Sequence, residues 1–236
     1  MSRERPEPPA TGSGGVEPGP EASALTVEIW SDVVCPWCYI GKRRFEAALQ
    51  EVDHPVEVVW RSFELDPGAS RTPVGALAEE LARKYGMSVA EAQRMMEEMA
   101  RAAAAEGLTF DFARARRGNT LDAHRLLHMA EEAGLQGEMK ERLLRAYFTE
   151  GRAIAERSEL AALGAEVGLD AAEVEEMLAG DAYVEAVRAD QERARSLGIR
   201  GVPFFVIDGR LGLSGAQPPA VIRQALEQGM EQAMEG

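Results

Sequence analysis

Residues 31 to 49 read SDVVCPWCYIGKRRFEAAL and hold both cysteines of a 236-residue chain, Cys35 and Cys38, three positions apart. Cysteines that staple a small fold are spread out, so that their bridges close loops large enough to restrict the unfolded state. A bridge between Cys35 and Cys38 closes almost nothing. The pair is therefore a dithiol that opens and closes, or half of a metal site. Upstream, LTVEIWS at residues 25 to 31 alternates Val27 and Ile29 against Thr26 and Glu28 and carries the β-branched and aromatic bias of a strand. Downstream, Ile40, Phe45, Ala48 and Leu49 recur at helical spacing from Pro36 to about residue 52. Pro36 suits the first turn of that helix, where its missing N–H leaves no bond unmade. The cysteines thus straddle a helix N-terminus.

The thiolate is the form that attacks a disulfide, and an ordinary cysteine is mostly protonated near neutral pH. Cys35 falls at the cap position, where unpaired N–H groups and the helix dipole favour an anion. It is expected to be the accessible, low-pKa nucleophile. Cys38, one turn later on the same face, is expected to be the buried resolving thiol that attacks a mixed disulfide formed at Cys35. Trp37 between them offers an apolar face to a substrate. The rival is zinc: Cys35 and Cys38 with His124 and His128, at i and i+4 in LDAHRLLHMA, are formally a Cys2His2 set. Against it stand the stiff, apolar Cys-Pro-Trp-Cys loop, the apolar setting of both histidines and the lack of a second cysteine pair, so no metal is expected.

Working outward, VEVVWRSF at 56 to 63 is a second strand, and no proline occurs from Val74 to Val202. That interval is helical, punctuated by glycines, with capping-box starts at Ser88 with Glu91 and Asp170 with Glu173. Met95, Met96 and Met99 lie on one of its helices, as core filler or as the contact surface of a binding module. PFFVI, Asp208-Gly209 and RLGLS then form a two-residue hairpin signal, and Pro218 to about Met234 a last helix. The first 23 residues, rich in Pro, Gly, Glu and Ser, are expected to be a disordered tail. They hold no apolar run of a secretory signal, and the chain nowhere approaches a membrane span, so the expected location is the cytoplasm. With 26 Lys and Arg against 40 Asp and Glu, a net charge of -14 repels phosphate backbones and anionic lipid: neither nucleic acid nor membrane is an expected partner. The basic run Lys42-Arg43-Arg44 is a solvated helix face or a functional patch.

EIWSDVVCPWCYIGKRRFEAAL resembles the opening of the FrnE-like branch of the DsbA family, thioredoxin-fold disulfide oxidoreductases with an inserted helical domain. NTLDAHRLLHMA at 119 to 130, RAYFTEG at 145 to 151 and GVPFFVIDGRLGLSGAQPP at 201 to 219 extend the resemblance in the same order. It implies an α/β, thioredoxin-like fold with an inserted all-helical subdomain: residues 25 to 66 and 199 to 236 form the thioredoxin-like domain, 67 to 198 the insertion and 1 to 24 the tail. It also implies a cis proline at Pro203, with Val202 beside the dithiol. Read alone, Pro203 is a proline opening an edge strand. Asn119 and His124 match a motif that faces the family's active site, against the plainer readings of a helix cap and a packed histidine. Ser214 to Gln217 line the groove or end the hairpin. The expected activity is thiol-disulfide exchange with disulfide- or thiol-containing proteins or small molecules. No cofactor is needed, and glutathione is a candidate redox partner. The alternatives are a glutathione-dependent isomerase or transferase of the same fold and the non-catalytic binding module.

Overall fold

The computed structural model describes residues 24–71 and 76–234. The expected tail up to residue 23, and Pro73, lie outside the described residues. Strand β1 (Leu25–Ser31) is an inner strand of a four-stranded sheet of order β2-β1-β3-β4. It pairs in parallel with β2 (Val56–Ser62), Leu25 opposite Val56 through Ser31 opposite Ser62. Parallel pairing needs a crossover, which helix α1 (Pro36–Leu49) supplies. On its other side β1 runs antiparallel to β3 (Phe204–Ile207), which pairs with β4 (Leu211–Ser214).

The turn between β3 and β4 has Asp208 and Gly209 at positive φ and an Arg210 N–H to Ile207 carbonyl bond of 3.0 Å. The strand register nonetheless leaves three residues between Ile207 and Leu211, not the two expected. Asp208 N–H bonds the Thr26 carbonyl of β1 at 2.8 Å, and Arg210, its N–H turned back to Ile207, is the extra residue left out of the ladder.

Alternation along β1 divides the packing. Val27 and Ile29 share one core with Phe45 and Ala48 of α1 and with Ile222, Ala225 and Leu226 of the last helix, α9 (Pro219–Met234). The Phe45 and Phe205 rings stack there at 5.6 Å. Trp30 faces the other way, against Ala194 of α8 (Val184–Ser196), and its indole N–H bonds the Asp190 carbonyl at 3.0 Å. Helices therefore cover both faces of the sheet, and α8 covers one of them although it lies within the stretch between β2 and β3.

The rest of that stretch comprises α2 (Leu77–Tyr85), α3 (Val89–Ala105), α4 (Leu121–Glu132), α5 (Gln136–Arg145), α6 (Arg157–Glu166) and α7 (Ala171–Ala179). Ser88 and Glu91 form the reciprocal capping box of α3, and Asp170 caps α7. Five residues, Ala146–Glu150, continue α5 as a π-helical turn. The largest core runs through α4 to α7 and takes in Val33, Tyr39 and Ile40 from the cysteine loop and α1. Each such buried side chain contributes about 1.5–3 kcal/mol, so α1 is held from two sides.

The basic run on α1 is neither a solvated face nor a patch. Lys42 and Arg43 both engage Glu141 of α5, whose carboxylate also accepts from Tyr39 Oη at 2.7 Å. Arg44 bonds Glu106 at the end of α3 at 2.6 Å. Burial opposes ionisation of Glu141, yet its bonds to Arg43 and Lys42 hold its pKa down to about 2.

Candidate active site

The loop between β1 and α1 is short and buried. Cys35 is the N-cap of α1, with φ -90 and ψ 115, and its carbonyl accepts the Cys38 N–H at 3.1 Å. Both cysteines are free thiols. Cys35 Sγ lies 3.6 Å from the carbonyl oxygen of Val202, and the Val202–Pro203 peptide is cis. One turn along α1, a Cβ on Gly41 would come 2.9 Å from Pro203 Cγ. The absence of a side chain at Gly41 is what lets the dithiol helix approach the Pro203 loop this closely.

Cys35 forms part of the wall of a cleft of about 310 Å³, and Cys38 lies behind it, outside the lining. Trp37, 43% exposed, stands at the mouth, and Val202 is on the wall beside Cys35. The opposite side comes from the helical stretch: Leu81 and Tyr85 of α2, Met95 and Met99 of α3, Tyr147 and Phe148 of the π-helical turn. The cations there, Lys84 and Arg117, share Asp66 at 4.0 and 3.5 Å, and Arg117 also meets Glu80 at 2.7 Å. The cleft therefore presents apolar surface with its charges locally balanced.

The expectation that Cys35 is the accessible, low-pKa thiol is corrected. It is only 4% exposed, reachable by a group inserted in the cleft. Hydrogen bonding to Cys38 and then burial raise its pKa, and the backbone N–H of Cys38 only partly offsets them. The Cys38 pKa is shifted the other way, below its ordinary value, which favours its thiolate. Burial opposes that charge, but the bond from Cys35, the Lys140 ammonium, the Ser31 hydroxyl and the Asp32 backbone N–H outweigh it. Cys35 holds the N-cap of α1, yet its shift runs upward, led by the neighbouring sulfur.

Asp32, fully buried, accepts the Leu65 N–H at 2.8 Å, and its other oxygen lies 3.3 Å from His124 Nε2. Burial works against this carboxylate, yet the His124 hydrogen bond and charge, the Leu65 bond and the Lys140 charge hold its pKa below the ordinary value. His124 thus reaches the cysteine loop through Asp32 without lining the cleft. Asn119 also stays out of it. Its Oδ1 accepts the Leu121 N–H at 2.9 Å and its Nδ2 bonds the Pro67 carbonyl at 3.1 Å, while its neighbours Gly118 and Thr120 line the wall. Gln217 bonds back to the Ser214 carbonyl at 2.8 Å, ending the hairpin away from the cleft. His128 meets Ser62 and Asp190, each at 3.2 Å. The four formal zinc ligands are therefore dispersed, and among the described residues no group of three or more His, Cys, Asp or Glu is placed to hold a metal ion. Among them, too, no helix is long and apolar enough to cross a membrane.

Sequence reasoning missed Asp32 and Lys140. The signal for Lys140 was a lysine on the apolar stripe of α5, beside Met139, Leu143 and Leu144.

The family model of the DSBA-like thioredoxin domain matches residues 26–227. The chain belongs to that family. Among DSBA-like relatives, a probable DsbA oxidoreductase of Streptomyces coelicolor, SCO1869, is 46% identical, with a TM-score of 0.84 over 88% of this chain and 91% of that one. The cytosolic disulfide reductase DsbM of Pseudomonas aeruginosa is 27% identical, with a TM-score of 0.62 over 88% and 99%, and has also been solved with GSH. YwbO of Bacillus subtilis strain 168 is 31% identical over 202 residues, 85% of this chain and 94% of that protein. The DSBA-like match spans the strands, the dithiol helix and the helical stretch together.

Proposed function

We propose that the chain is a thiol-disulfide oxidoreductase of the FrnE-like branch, with Cys35 as nucleophile and Cys38 as resolving thiol. The observation that carries this reading is the division of the two sulfurs: Cys35 on the cleft wall beside the Val202 carbonyl, Cys38 behind it. A substrate disulfide R–S–S–R′ enters beside Trp37, with an apolar group in the cleft. Cys35 passes its proton to the Cys38 thiolate as it attacks. The Cys35–S–R bond forms, the substrate S–S bond breaks, and R′S⁻ leaves. Cys38 gives that proton up to the departing thiolate and attacks Cys35 Sγ, forming the Cys35–Cys38 disulfide and releasing RS⁻. The substrate gains the two electrons that the dithiol loses.

Glutathione, in the cytoplasm, is the redox partner this reading assigns, supported by the 27% identity to cytosolic DsbM and its solution with GSH. No cofactor takes part. The test is capture. Cys38→Ala should accumulate reducible adducts through Cys35 when incubated with glutathione disulfide, read by intact mass, and the double variant Cys35→Ala, Cys38→Ala should form none. Absence of any adduct on Cys38→Ala, together with no oxidation of the unaltered protein, would sink the proposal.

A further inference from the structure

Helix α5 meets the sheet through two side chains one turn apart. Gln136 accepts the Trp60 N–H at 2.9 Å and donates to the Trp60 carbonyl at 3.0 Å, satisfying the outer backbone edge of β2. Lys140, at i+4, projects from the same face beneath the strand. Its ammonium lies 5.4 Å from the Trp60 ring centroid, has no solvent exposure and has no hydrogen-bond partner among the described residues. Burying an unpaired cation is costly unless an anion faces it. The ionisable groups that act on it are Cys38, Cys35 and Lys42 of the α1 region and Asp32 of the preceding loop, itself held by His124 of α4.

We propose that Lys140 is the positioning cation of the dithiol, reaching from the helical stretch to hold Cys38 as a thiolate for the resolving step. The oxidoreductase reading supplies that step, and the inference rests on it. Burial lowers the Lys140 pKa to about 8, with Cys38, Asp32 and Cys35 resisting the shift and Lys42 adding to it, so Lys140 stays mostly charged at neutral pH. Loss of the cation raises the energy of the Cys38 thiolate, slows attack on the mixed disulfide and shifts the equilibrium with glutathione toward the protein disulfide.

The test separates the electrostatics from the activity. In a Cys35→Ala background, ultraviolet thiolate absorbance titrates Cys38 alone. Lys140→Met is expected to raise the midpoint by about one pH unit, a roughly tenfold loss of thiolate below both midpoints, and Lys140→Gln by a similar amount. With both thiols present, Lys140→Met should release glutathione from a preformed mixed disulfide about tenfold more slowly at pH values below both Cys38 midpoints, with the rate recovering as pH rises. An unchanged Cys38 midpoint in both variants overturns the inference and leaves the oxidoreductase reading intact. If the unaltered protein is not oxidised by glutathione disulfide and Cys38→Ala captures nothing, that reading fails, while the Cys38 titration still decides whether Lys140 faces the thiolate.

Discussion

Lys140 also makes a thermodynamic prediction opposite in sign to its chemical one. Its pKa falls from 10.5 to about 8 in the folded state, chiefly through burial, so the folded protein binds this proton more weakly than the unfolded chain does. The resulting penalty is fully present below about pH 8 and disappears as pH rises toward about 10.5. Lys140→Met should therefore raise stability at pH 7, by about 1–3 kcal/mol, seen as a higher melting temperature, and should flatten the rise in stability between those two pH values. A variant that melts lower than the unaltered protein would show that the ammonium is better compensated than its surroundings indicate. A group that costs stability and aids chemistry is the usual mark of a functional side chain. The cysteine spacing and the cap position were legible at this scale because both are local. The directions of the two thiol shifts were not: burial and the bond between the sulfurs lead them, and Lys140, which adds to the lowering at Cys38, arrives from far along the chain. Asn119 and Gln217 erred in the other direction, since their side chains are spent on bonds to residues close by in the fold.

At the scale of elements, periodicity served well. β1 spans Leu25–Ser31 as its alternation indicates, and α1 starts at Pro36. What periodicity does not carry is the partner of each face. α1 was legible as amphipathic, yet it packs on two sides, and its basic run is shared between Glu46 of the same helix and carboxylates that lie far along the chain at Glu106 and Glu141. Glu141→Gln should cost about 1–2 kcal/mol at neutral pH, since hydrogen bonds to charged groups are worth more than neutral ones and this one is partly solvated. The sign with pH follows from its depressed pKa: the contribution is complete above about 4.5 and fades as pH falls toward about 2. Acid denaturation curves of the two proteins should therefore converge in that window. A constant gap across it would assign the loss to packing alone.

Over the whole molecule the excess of 14 negative charges sets how charged substrates arrive. The cleft itself is nearly balanced, so the long-range field governs approach. Reduction of glutathione disulfide, an anion, should accelerate as salt screens the repulsion, and reduction of cystamine, a dication, should slow. Initial rates at low and high salt check this, and two rates that move in the same direction would contradict it. The order of strands, helical stretch, hairpin and final helix was readable from proline and glycine placement. That α8 would cover one face of the sheet was not, because nothing local distinguishes it from the helices before it.

The clasp between α1 and Glu141 bears on how such a protein can be shortened or recombined. A minimal version that joined β2 directly to β3 would leave Lys42 and Arg43 only Glu46 of their own helix, take Glu106 from Arg44, bare Tyr39 and Ile40, and uncover Trp30. It would also remove Lys140, the cation that lowers the Cys38 pKa. Ancestry would therefore transmit sheet and helices as one block. Any chimaera that borrows another helical stretch must bring a carboxylate to the place of Glu141 and a base to the place of Lys140.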